Sequence, residues 1–303
     1  HRPNRRQRQM CIRDRHSGDS TAVIPPYSVD EEMLKEVEEK SKKLALGLNV
    51  KGLLNIQFAI KDEELFILEA NPRASRTMPF VAKVTGNQII KAGTLLMLGY
   101  SIDEVRNKTK YLSSSSNKVA IKKAIFPWSR FPAEDTMLGP EMKATGEVLG
   151  VGKEFGTALN KAYAAAGVEI NNKEKGIFVT LSDSEKPNFI KTVNKYLELG
   201  FTLYSTEGTG KFLKTNGIDS VIVGKADDLG QTSLTIIEDK LVSLVINTPT
   251  YANELSDGWK IRRLSHETGV AVVSSVREAD AFIEAFLNQN LVLDDLEVIQ
   301  DVS

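Results

Sequence analysis

Hydrophobic and polar positions alternate along this chain with two different periods, and the change from one to the other marks out its elements. After the Pro25-Pro26 break, Ser28-Val29-Asp30-Glu31 reads as a capping box that opens a helix running to about Gly47. Met33, Val37, Leu44 and Leu48 supply its apolar stripe. The period then falls to two. Gly52–Ile60 and Leu65–Asn71, separated by an acidic turn, predict a β-hairpin. Asn55 and Gln57 share one face of the first strand, while Leu54, Ile56 and Phe58 share the other; Glu69 and Asn71 share a face of the second. With Asp62, Glu63 and Glu64 as a three-residue loop, position 57 falls opposite 69 and position 55 opposite 71. Four polar side chains then converge on one patch, which fits either a binding surface or a solvent-facing side of the sheet.

A helical stretch is expected from about Pro79 to Gly99, followed by a serine tract, Ser113 to Ser116, read as a surface loop. Pro127, Pro132, Gly139-Pro140, Gly146, Gly150 and Gly152 make residues 120–155 look like a turn-rich connection. From about Gly167, short apolar runs alternate with helical patterns: Ile177–Leu181, Phe201–Tyr204, Val221–Val223, Leu241–Ile246 and Val270–Val273. That alternation predicts a small parallel α/β sheet.

Composition adds little to this picture except at the N-terminus. The chain has 303 residues, 41% hydrophobic and 26% charged, enough for two globular domains. No apolar run approaches the roughly 20 residues of a membrane span, and no signal-peptide core is present, so a cytoplasmic protein without membrane attachment is expected. The net charge of −1 conceals an arm, residues 1–15, with six Arg and one Asp; without it the chain carries net −6. The arm has no periodicity and resembles translated sequencing-adaptor sequence. It is therefore read as non-native rather than as a nucleic-acid tether, and it contains the single Cys11, so no disulfide or cysteine metal cluster is expected.

The segment Asn55-Ile-Gln57 … Leu68-Glu-Ala-Asn-Pro-Arg-Ala-Ser-Arg-Thr-Met-Pro79 closely resembles the ATP-grasp core of carbamoyl phosphate synthetase large chains. The match continues through His16-Ser-Gly-Asp-Ser20 and through Leu138-Gly-Pro-Glu-Met142 … Thr145–Gly152, so it covers nearly everything after residue 15. Glu-x-Asn-Pro-Arg is shared loosely by many ATP-grasp ligases, such as biotin carboxylase or glycinamide-type ligases; the extended run is far more specific. The resemblance implies the C-terminal part of an ATP-grasp domain at 16–98, a connection at 99–166 and a methylglyoxal-synthase-like α/β regulatory domain at 167–303. It also implies that this is the second of two ATP-using sites, the one that phosphorylates carbamate, and that it is truncated here and inactive alone. ATP and Mg2+ or Mn2+ are the implied cofactors. A glutaminase small subunit is the implied partner; an oligomer is also possible.

The implied site residues have suitable chemistry. Gln57, Glu69 and Asn71 supply oxygen ligands for divalent ions that bridge phosphates, with Gln57 and Glu69 also beside the ATP. Arg73 and Arg76 match family arginines that face the phosphates and the carbamate, where a planar guanidinium binds oxyanions bidentately. His16 and Ser17 match nucleotide-contacting positions. In the second domain Thr206-Glu-Gly-Thr209 follows a strand and opens a helix, a geometry that cradles phosphate on backbone N–H groups. Thr180, Lys186, Lys225, Asn247 and Thr250 match positions around that effector pocket, though each alone is an ordinary strand-end polar residue. The catalytic segment of the family's methylglyoxal-forming fold-mate is missing from Ala226–Gln231, which favours binding without catalysis. A nucleoside monophosphate such as UMP suits this pocket. Ornithine does not suit the chain, because Lys123 stands where ornithine-activated relatives carry an acid. The competing reading is a nucleotide-sensing module with an inactive ATP-grasp remnant.

Overall fold

The structure, a computed structural model, describes residues 16, 18–109, 118–130, 136–139, 141–168, 170, 176–248 and 256–288. Residues 1–15, Ser17, the serine tract and Thr250 lie outside that set. The first helix, α1 (Glu31–Gly47), opens on Asp30, whose carboxylate accepts from the Met33 backbone N–H at 2.8 Å. The N-cap thus lies two residues beyond the expected Ser28, because Asp30 itself caps a turn already rich in acid. Met33, Val37 and Leu44 are half-buried and α1 rests on the hairpin, but Leu48 of the expected stripe is exposed.

The hairpin comprises β2 (Asn55–Lys61) and β3 (Glu64–Asn71). The expected continuous helix from Pro79 to Gly99 is instead two, α2 (Met78–Thr85) and α3 (Ile89–Met97). Gly86 separates them at φ 66, a left-handed C-cap that ends the first. A further helix, α4 (Ile102–Lys108), begins with a full capping box, Ser101 and Glu104, which the sequence reading passed over.

The larger correction concerns residues 120–155. Two strands run there, β4 (Val119–Ile125) and β5 (Gly146–Gly152), paired antiparallel along their whole length, with β1 (Ala22–Ile24) on the other edge of β4. Gly150 and Gly152 are in the strand because a helix lies directly on it. A Cβ on Gly150 would sit 2.1 Å from the Ala158 carbonyl oxygen and 2.4 Å from the Ala162 nitrogen, both in α5 (Phe155–Ala165). Ile121 and Gly150 face α5; Ala120, Leu149 and Val151 face Phe80 and Val84 of α2. This three-stranded sheet is therefore covered on both sides.

The second sheet is the parallel one expected, built from β6 (Gly176–Thr180), β7 (Leu203–Thr206), β8 (Val221–Val223), β9 (Val242–Asn247) and β10 (Ala271–Val273) in the order β10-β9-β6-β7-β8. Its helices are α6 (Lys186–Glu198), α7 (Glu207–Thr215), α8 (Thr235–Glu238), α9 (Asp257–Thr268) and α10 (Val276–Leu287). All six residues of β9 are buried, as a central strand covered on both faces requires. The chain starts at central β6, winds out through β7 and β8, then crosses back to β9. Ligands in such sheets bind beyond the carboxyl ends of the strands where the winding reverses.

One apolar core joins the two sheets. Ile121 of β4 and Ala158, Leu159, Ala162 and Tyr163 of α5 pack with Phe282 and Phe286 of α10 and with Ile177 and Val179 of β6. Asn160 strengthens that joint, its buried amide donating at 2.7 Å to the carbonyls of Ala285 and Asn288 at the end of α10. Substituting Gly150→Ala forces α5 off the sheet and should destabilise the protein by on the order of 3 kcal/mol. Gly146→Ala, where an added Cβ meets nothing within 4 Å, should change stability little; urea unfolding of both variants checks the pair.

Candidate functional site

The hairpin patch is assembled by a compensation. Asp62 and Glu63 alone form the turn, with φ of 50 and 62, the left-handed pair of a two-residue hairpin, and Lys61 pairs directly with Glu64. The three-residue loop expected from sequence is thus absent. A register shift after Gln57 leaves Leu68 as the extra residue, so Gln57 still faces Glu69 and Asn55 still faces Asn71. Glu69 Oε1 accepts from Asn71 Nδ2 at 2.9 Å. The side-chain oxygens of Gln57, Glu69 and Asn71 therefore share one strand face. As a hard-oxygen set with a single carboxylate they suit a Mg2+ or Mn2+ ion that takes its other ligands from substrate phosphate and water. Among the described residues no group of three His, Cys, Asp or Glu side chains is placed to hold a metal.

Beyond Asn71 the chain turns, with Arg73 N donating to the Asn71 carbonyl at 2.8 Å and the exposed Arg73 side chain reaching the Ala74 carbonyl. Arg76 contacts Met142 Sδ and lines a cavity of about 240 Å³ with Gly18, Thr77, Lys122, Met142 and Glu147. His16 stands beside it: its Nδ1 accepts from Gly18 N at 3.0 Å, which leaves the proton of the neutral ring on Nε2. Two residues passed over by the sequence reading hold this turn. Asp19, buried, accepts from Lys143 N at 2.9 Å and Ala144 N at 2.8 Å, so it ties the turn to the segment that enters β5. Lys122, 1% exposed, donates to the Gly18 carbonyl at 3.2 Å and lies 3.7 Å from Glu147. The contacts of Asp19 with Lys143 and Ala144, and of Lys122 with Gly18, join residues more than a hundred positions apart; only the Gly-Asp-Ser turn and the alternation of β4 hint at them.

At the carboxyl ends of β6, β7 and β8 lies a cavity of about 450 Å³, lined by Thr180, Thr206, Gly208, Ile222, Lys225, Ser233, Gly258 and others. Thr206 is the N-cap of α7 and makes no side-chain cap bond, so the first N–H groups of that helix face this end of the sheet without one. Asp257 and Gly258, the first residues of α9, reach the same cavity. Thr180, Thr206 and Lys225 are thus gathered here, whereas three other residues have separate partners. Thr209 Oγ1 is buried and accepts from Leu181 N at 3.1 Å. Asn247 Oδ1 accepts from Arg262 Nη1 at 2.8 Å at the end of β9. Lys186 is paired with Asp183 at 2.6 Å, which holds that carboxyl below its usual range.

Residues 7–105 match the family described as carbamoyl-phosphate synthase L chain, ATP binding domain, and residues 188–274 match the MGS-like domain. The chain is 40% identical over 284 residues to the carbamoyl phosphate synthase large chain, C-terminal section, of Aquifex aeolicus, covering 89% of this chain and 52% of that one. The corresponding section of Methanocaldococcus jannaschii is 39% identical, covering 89% and 45%. Over most of its length the chain is thus similar to the C-terminal section of carbamoyl phosphate synthase large chains. It spans about half the length of these curated relatives, and 24% of the Brucella melitensis large chain, to which it is 40% identical. No helix among the described residues is long and apolar enough to cross a membrane.

A third cavity, of about 260 Å³, opens where the two sheets meet. Lys123 lines it with its ammonium 3.9 Å from the centre of the Tyr163 ring, and His266 lines it beside Trp128, at 5.9 Å between rings. Burial, reinforced by Lys123, Arg263 and Arg262, pushes the His266 pKa down to about 4. Its ring is neutral in the folded protein, while in the unfolded chain it takes a proton below about 6.5. Stability should therefore fall as pH drops from about 6.5 to about 4, by about 3 kcal/mol from this group. Urea midpoints measured across that range should show the drop, and His266→Gln should remove this part of the slope.

Proposed function

We propose that this chain supplies the carbamate-phosphorylating half-site of a carbamoyl phosphate synthase, together with a nucleotide-responsive effector domain. In that reaction a carbamate oxygen attacks the γ-phosphorus of ATP, the bond to the bridging β,γ-oxygen breaks, and carbamoyl phosphate and ADP leave. The observation that carries the reading is the register of the hairpin, which sets Gln57, Glu69 and Asn71 on one face directly before Arg73 and Arg76.

In this reading Gln57, Glu69 and Asn71 hold the divalent cation, which when bound screens the phosphate charge. Arg73 and Arg76 neutralise charge on the transferred group, and the cavity lined by Arg76 supports this reading as a place for its oxygens. His16 offers Nε2–H, and Ser17 a hydroxyl, to the nucleotide. Asp19 and Lys122 act indirectly by holding the turn that carries His16. Partner and pathway follow from the same reading: a glutaminase small subunit delivers ammonia, and the product feeds pyrimidine or arginine synthesis in the cytoplasm. The effector reading rests on the cavity at Thr180, Thr206 and Lys225. Two helix N-termini reach it, and an anionic ligand such as UMP satisfies them better than a cation. Lys123 argues against ornithine, since its ammonium already occupies the face of Tyr163.

The test of the catalytic reading is Glu69→Gln in the full-length large chain, with ammonia as nitrogen donor. Carbamoyl phosphate formation should drop at least about 100-fold, from loss of the one carboxylate in the set. Bicarbonate-dependent ATP hydrolysis at the other site should survive. Synthesis at the wild-type rate would contradict the assignment.

A further inference from the structure

The 450 Å³ cavity is lined by a buried hydroxyl that makes no hydrogen bond among the described residues. Ser233 is 1% exposed, and among the described residues its hydroxyl has no hydrogen-bond partner. A buried hydroxyl left in that condition is costly and uncommon in a native fold. The residue itself is held firmly. Its backbone N–H donates to the Gly224 carbonyl at 3.0 Å, and Thr232 before it bridges to Gly224 and exchanges hydrogen bonds with Thr235. The segment it closes, 224–232, is pinned further by Lys225 N to Asp228 at 2.7 Å and by Lys260 of α9 to Asp227 at 2.7 and 2.8 Å.

The position of Ser233 in the wall decides what it would meet. The anion-seeking groups are the first N–H groups of α7, at the end of β7, and Lys225, which follows β8; the carboxylates of Glu207, Asp228 and Asp257 also line the cavity. Ser233 lies between Thr232 and the helix α8, whose Ile236 and Ile237 pack with Val223, Val245 and Ile261 in an apolar cluster. Of those, Val223 and Ile261 also line the cavity, and so does Ile222, which is 54% exposed. An apolar wall suits the flat face of a base or sugar, not a dianion. A single hydroxyl set into it is where one heteroatom of that group would be read.

We propose that Ser233 is a ligand-contact residue of this cavity, donating its hydroxyl hydrogen to an acceptor on the nucleoside part of a nucleoside monophosphate rather than to its phosphate. The proposal rests on the reading of the cavity as a nucleotide site. It gives the site a preference for nucleotides over other phosphate esters of similar size, because only the former brings an acceptor to a donor that is otherwise left unpaired.

Calorimetric titration of the full chain with UMP, and separately with inorganic phosphate, tests it in the wild type and in Ser233→Ala, Ser233→Thr and Lys225→Ala. Ser233→Ala should raise the UMP dissociation constant about tenfold, about 1.4 kcal/mol, and leave that of phosphate unchanged, while Ser233→Thr, which keeps a hydroxyl, should restore most of the loss. Ligand-free Ser233→Ala should melt no lower than the wild type, since it loses no hydrogen bond. Wild-type UMP affinity in Ser233→Ala, an equal loss for phosphate, or a melting temperature lowered by several degrees would each overturn the assignment while leaving the nucleotide site standing if Lys225→Ala still weakens UMP. No UMP binding by the wild type, or binding undiminished in Lys225→Ala, would remove the site and the proposal together.

Discussion

The contact between α5 and β5 is the constraint from which the rest of the arrangement follows. A helix lies so close to a strand at Gly150 that no side chain fits between them. That approach lets Ala158 and Ala162 sit flush on the antiparallel sheet while the opposite side of α5 packs on α10 and, through it, on the parallel sheet. Asn160 fastens the same helix to the end of α10. The candidate effector cavity lies at the end of the parallel sheet joined to this layer, while the candidate catalytic groups stand on the separate two-stranded hairpin.

Two of the buried charged groups position a turn. Lys122 and Asp19 lie inside the structure with their charges committed to the turn that carries His16. The three-stranded sheet thus fixes the geometry of a turn distant in sequence, and α2 on its other face starts directly after Arg76. The same sheet face that carries Lys123 looks toward Tyr163 and the cavity between the sheets.

Much of this was legible in the sequence, and the failures share a cause. The five parallel strands announced themselves as short apolar runs, because strands buried on both faces cannot be anything else. Gln57, Glu69 and Asn71 were grouped by alternation alone. Their register arises from a shorter turn and a bulge at Leu68 that cancel, and neither leaves a mark on the period. β4 and β5 are hidden in the sequence because Gly146, Gly150 and Gly152 look like turn residues, whereas glycine is required at Gly150 by the close approach of α5. Asp19, Lys122 and Ser233 leave no signal for a related reason: their roles are defined by partners far along the chain or, for Ser233, by having none among the described residues.

Hydrogen exchange followed by mass spectrometry, under native conditions with graded urea, measures the unity of this core most directly. If α5 welds the sheets as described, the amides of β4 and β5 and those of β6 and β9 share one opening free energy and respond to urea with one slope. Exchange of β4 and β5 through a separate opening of clearly lower free energy, with β6 and β9 still protected, would show two independent units and contradict the account.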